Sequence, residues 1–103
     1  MKELDWFVSI LESEFHIEVD KRQISYEGNE LYLDETDESL IPLDMLNGLP
    51  YPLLFETMVF DGEGGTEWLG IVAMDLKTRE WYLQMILKDG KPVFRKRIEK
   101  END

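Results

Sequence analysis

At 103 residues the chain has the length of one domain, and a domain of this size buries roughly 65% of the surface its unfolded form exposes, enough for one core and not for two. A 43% hydrophobic content without any low-complexity tract marks it as globular, and the absence of cysteine excludes disulfides, thiolate metal sites and cysteine nucleophiles. The net charge of −12 works against binding to phosphate backbones or anionic lipid.

The first predicted element is a helix. Leu4, Phe7, Val8, Leu11 and Phe15 recur at three- and four-residue spacing, which places them on one face of a helix from Lys2 to Phe15. Trp6 and Ile10 fall on a shoulder that widens the apolar arc to about 200°, broad for a helix that covers one side of a sheet. Either the sheet wraps this shoulder or it faces something else. His16, the sole histidine, follows the helix, where an imidazolium would interact favourably with the C-terminal dipole. A structural role is expected for it, because nothing in the sequence places a nucleophile or an orienting carboxylate beside it.

Beyond His16 the hydrophobic period changes to two. Gln23 to Glu27 and Glu30 to Leu33 flank Gly28-Asn29, a dipeptide suited to a tight hairpin, with Ile24 facing Leu33 and Tyr26 facing Leu31. That register sets Glu27 against Glu30, a mildly repulsive pair. Asp34-Glu35-Thr36-Asp37-Glu38-Ser39 reads as an acidic link. Leu40 to Leu46 reads as a short helical turn stopped by Asn47-Gly48, with Pro50 and Pro52 holding the chain extended beyond it.

The rest reads as an antiparallel meander. Leu53 to Phe60 and Thr66 to Leu76 are strands, and the run Leu69, Ile71, Val72, Ala73, Met74 is apolar on both faces, as a central strand covered on each side would be. Lys77-Thr78-Arg79 turns the chain into Glu80 to Leu87, and Asp89-Gly90 makes a two-residue hairpin into Pro92 to Ile98. With Lys88 opposite Lys91, uninterrupted alternation puts Trp81, Leu83, Met85, Leu87, Phe94 and Ile98 on a core face. The other face receives Tyr82, Gln84, Ile86, Val93, Arg95 and Arg97. The expected fold is α+β, one globular domain over 1–103, with the helix packed on a five- to six-stranded, mainly antiparallel meander sheet. Its second face would be partly exposed, or covered by the 40–53 segment or a second subunit.

Charge is distributed unevenly. Residues 1–67 carry 17 acids against 3 bases, a local charge of −14, whereas residues 68–103 carry 6 acids against 8 bases, a local charge of +2. The Gly-rich loop Asp61-Gly62-Glu63-Gly64-Gly65-Thr66-Glu67 lacks the spacing of a phosphate-binding loop, and its carboxylates would repel an anion. It also lacks the ligand ladder of a calcium-binding loop and reads as a solvated connection. With one His and no Cys there is no zinc spacing, and none of the serines lies in a GxSxG elbow.

These patterns lead to the expectation of a non-catalytic binding protein with no cofactor or metal. Its acidic surface would engage a basic protein partner, in the manner of an inhibitor, an immunity-type protein or a phage or host modulator. Asp34, Glu35, Asp37 and Glu38 are the candidate docking residues, with Trp6 as an aromatic anchor. DNA mimicry is a special case, since duplex DNA carries one charge per ~1.7 Å of axis and imitation needs many aligned carboxylates. The alternative is a homo-oligomeric anion-binding protein or enzyme with a pocket around Tyr82, Arg95 and Arg97, which with Lys96 and Lys100 make the basic cluster. No direct nucleic-acid partner is expected. No apolar run approaches the about 20 residues that span a bilayer, and the start Met1-Lys2-Glu3-Leu4-Asp5-Trp6 lacks a secretory layout, so a cytoplasmic location is expected.

Overall fold

The apolar stripe from Leu4 to Phe15 forms a single helix, α1 (Lys2–Phe15), in the computed structural model, which describes residues 2–31 and 53–98 and, for 28–31, the backbone alone. Its end is set by His16, whose backbone takes the left-handed conformation (φ 56°). From there the His16 N–H returns to the Glu12 carbonyl at 3.1 Å and the Ile17 N–H to the Leu11 carbonyl at 3.0 Å, satisfying acceptors that the last turn leaves open. A 3₁₀ turn follows at Lys21–Gln23. Its N-terminus is capped by the Asp20 carboxylate, which accepts from the Arg22 N–H at 2.9 Å and from the Arg22 guanidinium at 2.7 Å.

Among the described residues five strands follow: β1 (Ser25–Leu31), β2 (Leu53–Asp61), β3 (Glu67–Asp75), β4 (Trp81–Lys88) and β5 (Lys91–Arg97). They form one antiparallel sheet in the order β1-β2-β3-β4-β5, so every strand lies beside its neighbour in sequence. The α+β meander is therefore the architecture. The strand apolar on both faces, β3, is the central one, and its residues from Gly70 to Met74 are all buried.

Helix α1 covers one face. Phe7 and Leu11, both without exposed surface, meet Leu54, Met58, Phe60, Trp68, Val72, Met74 and Ile86. Full burial of two such side chains stabilises the docked helix by about 1.5–3 kcal/mol each. The broad shoulder is wrapped by the sheet: the ring of Trp6 meets Trp81 edge-on, with centroids 6.2 Å apart at 81°, and the Lys2 ammonium lies 4.8 Å from the Trp81 ring. The opposite face carries a second buried cluster, Leu53, Phe55, Ile71, Ala73, Leu83, Met85 and Leu87. Around that cluster the face is partly exposed, at Thr57, Val59, Leu69 and Tyr82. The segment 40–52, expected as one of its covers, lies outside the described residues, as does the acidic link at 34–39.

Two expectations from the sequence are corrected. Gly28-Asn29 is not a hairpin turn: β1 runs straight through it and pairs with β2, Gly28 opposite Glu56 and Asn29 opposite Phe55. Seven consecutive residue pairs with a long, buried strand outweigh a turn preference that two residues express locally. The expected repulsion between Glu27 and Glu30 disappears with the turn. Glu27 stands opposite Thr57, whose hydroxyl donates to the Glu27 carbonyl at 3.2 Å, and Glu30 stands opposite Leu54.

The second correction concerns the closing hairpin. Asp89 (φ 50°) and Gly90 (φ 80°) make the expected turn with Lys88 opposite Lys91, but the register slips between Ile86 and Leu87. Leu87 faces Pro92 and Ile86 faces Phe94, leaving Val93 as an extra residue, 44% exposed. A bulge of one residue reverses the side of everything beyond it. Phe94 accordingly joins the helix-side cluster with Ile86. A second irregularity between Ala73 and Met74 pairs Met74 with Trp81, so Trp81 faces α1 while Leu83, Met85 and Leu87 face the other side.

Candidate functional site

The β2–β3 connection, the end of α1 and the tip of the β4–β5 hairpin meet at one end of the sheet. Glu63–Gly65 forms a 3₁₀ turn in which Gly64 (φ 73°) and Gly65 (φ 79°) adopt a backbone that side chains with a β-carbon rarely take. The Gly62 N–H donates to the Thr66 carbonyl at 2.7 Å and closes the loop. The hairpin tip is tied to the first residue of β3, with the Asp89 N–H on the Glu67 carbonyl (2.8 Å) and the Glu67 N–H on Asp89 Oδ1 (2.9 Å). The loop expected as a solvated connection is exposed at Asp61, Glu63, Gly64, Gly65 and Glu67, and these hydrogen bonds give it a defined shape.

Against this loop lies a cleft of about 500 Å³. Phe60 and Trp68, directly opposed across the β2–β3 ladder and both buried, contribute the aromatic part of its lining. His16, Ile17 and Glu18 line it where the chain leaves α1, and Gly62, Glu63 and Thr66 line it from the loop. Lys88 completes the lining, its ammonium 5.4 Å from the centroid of the Trp68 ring. Phe15 packs against Trp68 with centroids 5.0 Å apart and helps hold the indole in place.

The charge around the cleft is arranged against local stability. The last turn of α1 contains no basic residue and holds Glu12 and Glu14 at the negative end of the helix dipole. Asp61 and Glu67, both exposed, are directly opposed at the end of the β2–β3 ladder. Among the described residues, ion pairs join Asp5 to Lys21, Asp20 to Arg22 and Glu56 to Arg79, and none of them neutralises Glu12, Glu14, Glu18, Asp61, Glu63 or Glu67.

The residues singled out from the sequence are dispersed relative to this cleft. Asp34, Glu35, Asp37 and Glu38 lie outside the described residues. Trp6 is half-buried against Trp81, which begins β4 at the end remote from Lys88. Arg95 and Arg97 stand opposite Met85 and Leu83, on the side of the second cluster, where Tyr82 also packs. The Tyr82 hydroxyl lies 3.5 Å from Asp75 Oδ2. Asp75 is held below the usual carboxylate range by the backbone N–H groups of Thr78 and Lys77, both donating to its Oδ1. His16 ends α1 through its left-handed backbone, and it also lines the cleft. Sequence reasoning missed Phe60, Trp68 and Lys88 as a group. Their one legible signal is an aromatic on each side of an acidic Gly-rich loop.

A second feature lies under α1. Glu56 is 4% exposed; its Oε1 accepts from the Arg79 guanidinium at 3.3 Å, and its Oε2 is buried without a hydrogen-bond partner. Burial, together with the Glu56 carboxylate nearby, pushes the Tyr26 phenol well above the ordinary tyrosine range.

Comparison with protein families, with curated proteins and with solved structures finds no match to this chain. Among the described residues no helix is long and apolar enough to cross a membrane, and no group of three or more His, Asp or Glu is placed to hold a metal ion.

Proposed function

We propose that this is a small, non-catalytic, cytoplasmic binding protein whose acidic end docks a basic surface of a protein partner, acting as an inhibitor or modulator of that partner. The observation that carries the reading is the aromatic-lined cleft flanked by Glu18 and Glu63, set among carboxylates that no ion pair among the described residues neutralises. Acids at a helix C-terminus and opposed acids on a ladder each cost local stability, so a role outside folding accounts for their presence. Carboxylates around the mouth of the cleft complement a basic partner surface, and such charge accelerates encounter and makes it salt-sensitive. An anion site at Tyr82, Arg95 and Arg97 is less well supported, because the Asp75 carboxylate stands beside the Tyr82 hydroxyl.

The test compares the protein with a Glu18→Lys, Glu63→Lys double variant as baits in lysate of the source cell, at about 0.05 M and about 0.5 M salt. A basic protein retained by the unaltered bait at low salt, and lost both at high salt and with the variant, is the expected result. Retention of the same proteins by both baits would overturn the reading.

A further inference from the structure

We propose that the cleft recognises an aliphatic ammonium, the terminal amine of a lysine on the basic partner, which takes the place over Trp68 that Lys88 fills in the free chain. The inference rests on the docking role proposed above and specifies the group that is docked. The chain itself supplies the first argument: a lysine ammonium already sits 5.4 Å from the Trp68 centroid, within the distance at which an indole face attracts a cation.

Charge supplies the second argument. Glu18 and Glu63 both line the cleft, so a cation entering it meets two carboxylates, whereas an anion would meet them as repulsion. Volume supplies the third. At about 500 Å³ the cleft has room for a butylammonium-sized side chain beside the atoms that already line it. Lys88 is also poised to leave. It is exposed, and it stands directly opposite Lys91 at the hairpin, a like-charge pairing that weakens its hold on the place it now fills. Displacement returns the Lys88 ammonium to water, and the incoming amine inherits the ring. Lys88 thus acts as an internal competitor that lowers the apparent affinity.

The experiment titrates the full chain with n-butylammonium chloride, against sodium chloride at matched ionic strength, and follows the Trp68 indole N–H by NMR. Saturable movement of that resonance, with a dissociation constant on the order of 10 mM, is expected, and n-butanol of the same chain length should leave it in place. Lys88→Gln should tighten binding about two- to fivefold, the equivalent of the exposed cation–π contact that the competitor gives up. Glu18→Gln combined with Glu63→Gln should weaken it. No saturable shift in either the unaltered chain or the Lys88→Gln variant overturns the inference, as does equal movement with n-butanol. Loss of the ammonium response with salt-sensitive partner capture intact removes this inference alone. Capture indifferent to Glu18→Lys and Glu63→Lys removes the docking reading on which it rests.

Discussion

The ring of Phe7 lies directly over Gly70: a β-carbon built at Gly70 would stand 2.5 Å from Phe7 Cδ1 and 2.8 Å from Cε1. Gly70 sits on the central strand, opposite Met58 of β2 and Ile86 of β4, and those three residues receive the middle of α1. The glycine is the recess that lets the helix approach the sheet closely enough to bury Phe7 completely.

Gly70→Ala should therefore destabilise the fold by about 2–3 kcal/mol, because the ring and the helix that carries it must shift. Urea denaturation of the variant measures the loss. Phe7→Leu in the Gly70→Ala background should cost clearly less than Phe7→Leu alone. Additive losses would show that the two residues do not meet as described.

His16 holds a left-handed backbone while its residue as a whole is exposed. His16→Gly should raise stability by about 1 kcal/mol, a shift of about 5 °C in Tm, and His16→Ala should give no such gain. Thermal unfolding followed by circular dichroism distinguishes the two variants.

Arg79 reaches from the β3–β4 turn to the buried carboxylate of Glu56, with its own side chain 64% exposed. Arg79→Ala strands that carboxylate and should cost about 1–2 kcal/mol at neutral pH, the lower part of the range because the guanidinium is mostly solvated. Adding Glu56→Met removes the stranded group, so the double variant should be more stable than Arg79→Ala alone. A double variant less stable than Arg79→Ala would show that Glu56 contributes through other contacts.

Asp20 is held at about 2, first by the hydrogen bond from the Arg22 guanidinium and then by the Arg22 backbone N–H. Its folded value lies below the unfolded one of about 3.9, so its contribution is complete above that value and is lost as the pH falls from about 4 towards 2. A carboxyl ¹³C titration run towards acid should show Asp20 taking up its proton with a midpoint of about 2. Asp20→Asn should abolish this part of the acid sensitivity and loosen the Lys21–Gln23 turn. An Asp20 midpoint near 4 would refute the pairing.

Local patterns in the sequence were decisive where one element answers to one chemistry. The three- and four-residue spacing of Leu4, Phe7, Leu11 and Phe15 defines α1 because an amphipathic helix needs only its own stripe. The two-sided apolar run of β3 identifies the central strand because only a strand covered on both faces tolerates it. Asp89-Gly90 marks its hairpin because the turn's positive φ angles are a property of those two residues.

Where two distant segments compete or meet, the chain order is silent. Gly28-Asn29 is a two-residue hairpin dipeptide as Asp89-Gly90 is, yet pairing of β1 with β2 keeps it extended, and nothing within the dipeptide records that β2 is available. The side on which Phe94 lies depends on a one-residue bulge at Val93, and strict alternation cannot register a slip that leaves every residue type unchanged. The cleft draws on residues 16–18, 60–68 and 88, which come together only when the helix end, the acidic loop and the hairpin tip share one end of the sheet. Composition and periodicity determined that this is an acidic α+β meander that opens with an amphipathic helix. Tertiary structure alone decided which carboxylates flank an aromatic cleft, because strand pairing and register place side chains that no local preference can place.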